Sequence, residues 1–139
     1  KDFPKMNLIS GTEAIFVAAF DAGAQAAVTG LGNVYPDLMA ELYQNYLSGD
    51  RKILMKTQEK ALVVRQITKY GPTIPTCHAI LKLRGIDCGY PRLPFKPVST
   101  EIEQRVKSSL ESLDLLYQKY IRTHQLDFFI RVQSSCEGR

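Results

Sequence analysis

No stretch of this 139-residue chain approaches the roughly 20 consecutive apolar residues a membrane helix requires, so no membrane partner is expected. Cysteine is sparse. Cys77, Cys88 and Cys136 are odd in number and lack C-x-x-C spacing, which excludes the paired framework of a small secreted protein and fits a reducing, cytoplasmic setting. The two histidines, His78 and His124, lie too far apart to complete a recognisable zinc site with them, so no metal is expected. A surplus of one charge is also missing: 18 Lys and Arg against 14 Asp and Glu leave a net +4, enough for solubility but too small and scattered to require nucleic acid. Lys1 opens neither a signal peptide nor a normal initiator methionine, so the chain is expected to be cut from something longer.

What is present has the size and balance of one globular domain, with 45% hydrophobic and 23% charged residues. Met6-Asn7-Leu8-Ile9-Ser10 is short, apolar and stops at Gly11, which predicts a strand. From Thr12 to Ala22 the period becomes helical, with Ile15, Phe16, Ala19 and Phe20 on one face, Glu13 at the start and Gly23 as the positive-φ stop. Ala26-Ala27-Val28-Thr29 predicts a second strand, ending at Gly30-Leu31-Gly32-Asn33. Strand, helix and strand in this order imply a parallel, right-handed β-α-β unit.

Beyond it the pattern is helical. Pro36 suits a first helical position, Leu38, Met39, Leu42, Tyr43 and Tyr46 form an apolar face, and Gly49 closes the segment. Asp50 caps an amphipathic stretch from Arg51 to Tyr70, with Ile53, Leu54, Ala61 and Ile67 inward and Lys52, Lys56, Glu59 and Lys60 outward. A helix from Thr76 to Arg84 ends at Gly85. The proline-rich run Gly85 to Val98 then reads as an ordered strap packed on the body. Thr100 with Glu103 reads as a capping box, and Ile102, Val106, Leu110, Leu113, Tyr117 and Tyr120 recur at steps of four and three, as in a coiled-coil seam or a docked terminal helix. The tail from Ile121 to Arg139 has no assigned element.

Three motifs invite chemistry that their contexts do not support. Gly30-Leu31-Gly32-Asn33 is half of a dinucleotide fingerprint, but Tyr35 stands where the third glycine belongs, so no nucleotide cofactor is expected. Gly11 and Gly30 read better as strand-end loops at the mouth of a parallel sheet or barrel. Arg51, Lys52, Lys56, Lys60, Arg65 and Lys69 lack interleaved stacking aromatics and read as a solvated helix face. Cys77 and His78 are neighbours on a helix, about 100° apart, and so are a poor nucleophile pair. Arg92, between two prolines, reads as an arginine fixed to nearby carbonyls or carboxylates, or as a substrate contact.

Ser10-Gly11-Thr12-Glu13, Gly23-x-x-Ala26-Ala27-Val28-x-Gly30-x-x-Asn33-x-x-Pro36 and the Arg92-Leu93-Pro94 strap together resemble the C-terminal half of the dihydrodipicolinate synthase/N-acetylneuraminate lyase family, over about Met6 to Leu113. The resemblance implies an α/β fold: strands seven and eight of a (β/α)8 TIM barrel within residues 1–49, a C-terminal helical extension over 50–120, and a tail over 121–139. A whole barrel takes about 250 residues, which agrees with a fragment. Such enzymes are class I aldolases or lyases that use a Schiff-base lysine on pyruvate, need no cofactor, and typically form homotetramers. Their lysine, proton-relay tyrosine and threonine pair would lie upstream of Lys1, so no catalytic residue is expected here and no activity from the chain alone.

What remains by resemblance is one wall of the keto-acid pocket. Gly11 and Gly30 would present small surfaces, Val28 its carbonyl, and Glu13 a carboxylate for a sugar hydroxyl; otherwise Glu13 is simply a first-turn carboxylate favoured by the helix dipole. Ala14 after Glu13, and Gly30 where sialic-acid lyases carry serine, disfavour a sialic acid. The strap looks most like 2-keto-3-deoxy-sugar-acid aldolases. A non-catalytic helical interaction module derived from such a barrel is the alternative.

Overall fold

The computed structural model describes Met6 to Leu115; the expectations for Tyr117, Tyr120 and the 121–139 tail lie outside the described residues. Strands β1 (Ile9–Ser10) and β2 (Ala26–Ala27) pair in parallel, Ile9 opposite Ala26 and Ser10 opposite Ala27. The Gln25 N–H donates to the Leu8 carbonyl at 2.9 Å and that of Val28 to the Ser10 carbonyl at 2.8 Å. Both strands are shorter than the apolar runs Met6–Ser10 and Ala26–Thr29, because strand length is set by the partner that answers each backbone group. Among the described residues this two-stranded sheet is the only one, and no closed eight-stranded barrel is present.

The expected helix after β1 is split. Thr12 Oγ1 accepts from the Ala14 N–H at 3.2 Å and starts a 3-10 turn, Glu13–Ile15, which passes into α1 (Phe16–Asp21). The tighter turn changes the phase, so Ile15, expected inward, is 56% exposed and Val17 joins Phe16 and Phe20 in the core. Phe20 stacks on Phe16 at 4.2 Å and meets Tyr43 and Tyr46 edge-on, fixing α1 to the next helix. Gly23, at φ +100°, ends the segment as its position predicts.

Helix α2 (Pro36–Ser48) has the predicted bounds and stops at Gly49, φ +77°. Asp50 Oδ1 then accepts from the Lys52 and Ile53 N–H groups, both at 3.0 Å, and caps α3 (Arg51–Ile67). Leu54, Ala61 and Ile67 are buried as expected. Ile53 is not; Thr57, Gln58 and Val64 complete the inner face. Helix α4 (Thr73–Leu83) begins earlier than expected because Pro75 sits in its first turn, where the missing N–H costs nothing.

In α5 (Thr100–Ser112) the cap is Ser99, not Thr100: its Oγ accepts from the Ile102 N–H at 3.4 Å, and Glu103 faces Lys82 instead of closing a capping box. The helix is docked, not a free seam, with Val106 and Leu110 fully buried beside Leu42, Val64 and Ile80. The strap between α4 and α5 packs less closely than expected, since Tyr90 and Leu93 are 84% and 88% exposed.

One polar node pins the start of α2 to the end of α4. The Arg84 guanidinium donates to the Val34 carbonyl, lies 4.1 Å over the Tyr35 ring and approaches Asp37 at 3.7 Å. The Tyr35 hydroxyl in turn donates to the Leu115 carbonyl at 3.3 Å. Burial pushes the Tyr35 phenol up to about 12, with Arg84 opposing the shift and Asp37 adding to it. The folded state therefore favours the neutral phenol: stability is intact below pH 10 and declines as pH rises towards 12. A thermal-unfolding series across that window should show the decline in the wild type and lose most of it in Tyr35→Phe; parallel curves for the two proteins would refute the assignment.

Candidate functional site

The candidate site is the C-terminal edge of the two parallel strands, where strand-end loops face outward. Because Ser10 pairs with Ala27, the next residues, Gly11 and Val28, emerge side by side, joined through the Val28 N–H to Ser10. Val28 is 72% exposed. Gly30 follows two residues later and opens a 3-10 turn, Leu31–Asn33, its carbonyl accepting from the Asn33 N–H at 3.2 Å and from Asn33 Nδ2 at 3.3 Å. Thr29 Oγ1 accepts from the Gly32 N–H at 3.2 Å. Three of the sequence-expected residues are thus brought to one edge.

Neither glycine is required by its own surroundings. A Cβ at Gly11 or Gly30 would meet no atom within 4 Å, and Gly30 has ordinary right-handed φ and ψ of −63° and −34°. The sites are open, so a side chain there would fill space at the mouth without clashing with the described chain.

Glu13 is placed differently from its neighbours. It is buried at 7% exposure, and its Oε1 lies 3.1 Å from Arg65 Nε on α3. Gln58, also on α3 and buried, donates from Nε2 to the Glu13 carbonyl at 3.0 Å and accepts from the Val17 N–H at 3.4 Å. Three contacts from one helix therefore clamp the loop that follows β1. Sequence reading missed both partners. Arg65, grouped with a solvated basic face, instead points inward, 52 positions from Glu13 along the chain, and Gln58 carried no signal beyond its helical register.

The other members of that basic group divide. Arg51 binds Asp21 bidentately at 2.9 and 2.7 Å and holds its carboxyl below the usual carboxylate range; Lys69 donates to Thr73 Oγ1 at 2.9 Å; Lys52, Lys56 and Lys60 are exposed as expected. Arg92 is exposed and carries no side-chain hydrogen bond or ion pair among the described residues, so it is not fixed to carbonyls or carboxylates there. Cys77 is half-buried, and burial pushes its thiol up. His78 does not pair with it but faces Cys88 from across the strap. Among the described residues no cluster suited to a metal ion occurs, and no helix is long and apolar enough to cross a membrane.

Comparison with known proteins gives these features a context. The model of the dihydrodipicolinate synthetase family matches residues 3–113. An uncharacterized DapA-like lyase of Halobacterium salinarum is 30% identical over 113 residues, covering 81% of this chain and 37% of the relative. A 4-hydroxy-tetrahydrodipicolinate synthase of an Exiguobacterium species is 34% identical over 97 residues, covering 69% of this chain and 33% of the relative. Among solved structures, a putative dihydrodipicolinate synthetase from Pseudomonas aeruginosa superposes with a TM-score of 0.68 at 28% identity, covering 78% of this chain and 38% of that one. The chain thus spans well under half the length of the relatives it matches.

Proposed function

The chain belongs to the dihydrodipicolinate synthetase family, and on that premise we propose that it forms one wall of the substrate pocket of a class I, pyruvate-dependent aldolase or lyase. In this reading its strands are the seventh and eighth of a barrel, α1 and α2 complete the last two β/α units within residues 1–49, and α3 to α5 belong to the helical extension. The observation that carries the proposal is the parallel register that sets Gly11 beside Val28 at the strand ends. The exposure of Leu8, Ile9 and Val28, at 51%, 56% and 72%, supports it further, since parallel sheets are ordinarily covered on both faces.

The chemistry of such an enzyme is imine formation between a lysine and pyruvate, the protonated nitrogen accepting electrons as a carbon-carbon bond breaks or forms. That lysine would come from outside this chain. The residues present here would shape and position. Gly11 and Gly30 keep the strand ends free of side chains, and Val28 offers its carbonyl to the bound keto acid. Glu13, with Oε1 held by Arg65, has only its second oxygen for a substrate hydroxyl. The substrates proposed are a 2-keto-3-deoxy sugar acid, or the precursors of a dihydrodipicolinate product, the latter supported by the named Exiguobacterium relative. Assembly as a homo-oligomer is part of the same proposal.

A second reading, a non-catalytic helical module, is favoured by the common core that α2 to α5 share, built from Leu38, Leu42, Leu54, Val64, Ile80, Val106 and Leu110. One experiment separates the two. Borohydride reduction in the presence of pyruvate, applied to the product of the complete reading frame, is expected to leave a stable secondary-amine adduct on one lysine, while the 139 residues alone leave none. No adduct on the complete product would end the enzyme reading in favour of the module.

A further inference from the structure

Helix α1 begins without a local cap. Its N-cap residue, Ile15, has no side-chain oxygen, and the Val17 N–H that a cap would meet donates instead to Gln58 Oε1 on α3, at 3.4 Å. The same amide turns its other end on the loop before α1, with Gln58 Nε2 donating to the Glu13 carbonyl at 3.0 Å. Gln58 is 5% exposed, so water does not compete for either bond. Arg65, which holds Glu13 Oε1, stands seven positions further on, two turns along the same stripe of α3.

The loop held in this way is also closed on itself. Ser10 Oγ donates to the Thr12 carbonyl at 3.0 Å and Thr12 Oγ1 accepts from the Ala14 N–H at 3.2 Å, which ties Ser10 to Ala14 as one short unit. Gly11 lies inside that unit, two residues from the carbonyl that Gln58 holds. No packed side chain fixes Gly11 directly, since a Cβ there would meet no atom within 4 Å. Among the described residues, each hydrogen bond or ion pair running from residues 11–15 to an element distant in sequence ends on α3. The place of Gly11 is therefore set at one end by the β1–β2 pairing and at the other by α3.

We propose that Gln58 is a positioning residue for the substrate pocket, acting through the Glu13 carbonyl to hold Gly11 at the strand end where the keto acid lies. The inference rests on the reading of this edge as a pocket wall. It adds that the helical extension, to which α3 belongs, sets that wall and does not merely pack behind the barrel. Gln58 touches neither the substrate nor the reacting lysine. Loosening the wall therefore weakens the hold on the bound keto acid, while the imine step, carried by a lysine outside this chain, keeps its rate once the pocket is filled. A merely structural role predicts something else: fewer folded molecules, each binding as the wild type does.

The test is borohydride trapping of the complete reading frame's product over a range of pyruvate concentrations, in the wild type and in Gln58→Met, Gln58→Asn and Leu110→Ala. Gln58→Met keeps the bulk but removes both hydrogen bonds; it is expected to raise half-saturating pyruvate about tenfold, with the trapping rate at saturation, per folded molecule, within about twofold of the wild type. Gln58→Asn keeps the amide on a shorter stem and should shift half-saturation the same way by about threefold, which keeps the test open if Gln58→Met fails to fold. Leu110→Ala, a truncation of a fully buried side chain on α5, controls for lost stability and should leave half-saturation unchanged. Unchanged half-saturation in the folded Gln58 variants, or an equal shift in Leu110→Ala, overturns the positioning role while the wild-type adduct still supports the enzyme reading. No adduct on the wild type overturns the enzyme reading and this inference with it.

Discussion

Replacing Arg65 with methionine is expected to cost on the order of 3 kcal/mol of folding stability, because it leaves the Glu13 carboxylate buried without its cation. Both side chains are largely covered, at 29% exposure for Arg65 and 9% for Glu13, so solvent cannot take over the lost interaction. The partial exposure of Arg65 places the cost at the lower end of the range for broken buried pairs. Glu13→Gln combined with Arg65→Met should recover most of the loss, since removing both charges removes the desolvation penalty as well. Urea unfolding of the four members of this double-mutant cycle measures the coupling. A single Arg65 variant as stable as the wild type would mean that the pair contributes nothing to holding the loop after β1.

The second large effect separates three leucines at the end of α5. Leu110→Ala and Leu115→Ala should each cost about 3 kcal/mol, as both side chains are at most 1% exposed within the core. Leu113→Ala should cost less than about 1 kcal/mol, because Leu113 is 40% exposed. Thermal midpoints of the three variants suffice. Heptad-like spacing predicts the opposite order, placing Leu113 on the apolar seam with Leu110. The structure reverses it because α5 stops at Ser112 and Asp114 adopts φ +54°, turning the chain so that Leu115 enters the core in its place. An outcome in which Leu113→Ala is the most damaging would contradict this ending of the helix.

The same pattern of success and failure runs through the chain. Gly23, Gly49 and Gly85 were legible as stops because a positive φ is a local demand that glycine meets with little strain. Pro36 and Asp50 were legible as helix starts for equally local reasons, a pre-set φ and a carboxylate able to reach two orphan N–H groups. The choice between Ser99 and Thr100 was not, because both are good caps and only the backbone path decides which oxygen meets the Ile102 N–H. Ile15 and Ile53 were misplaced because apolar character does not say whether a turn is tightened or where a helix face ends.

For the candidate site, Gly11 and Gly30 could be placed at strand ends because strand-loop-helix punctuation is written in neighbouring residues, whereas Val28 was singled out only through the family resemblance. Arg65, Gln58 and the His78–Cys88 contact could be found by neither route. Each joins positions that the chain brings together only after α3 packs on the first turn or the strap folds back on α4. The amino-acid sequence by itself determined the order of elements, the parallel crossover and the family, since these follow from period, turn chemistry and motif, all short-range properties. Tertiary packing alone decided which charges are paired, which apolar residues are covered and which sulfur meets a histidine. Those are distances between residues far apart along the backbone, and they exist only once the conformational entropy of the intervening chain has been lost.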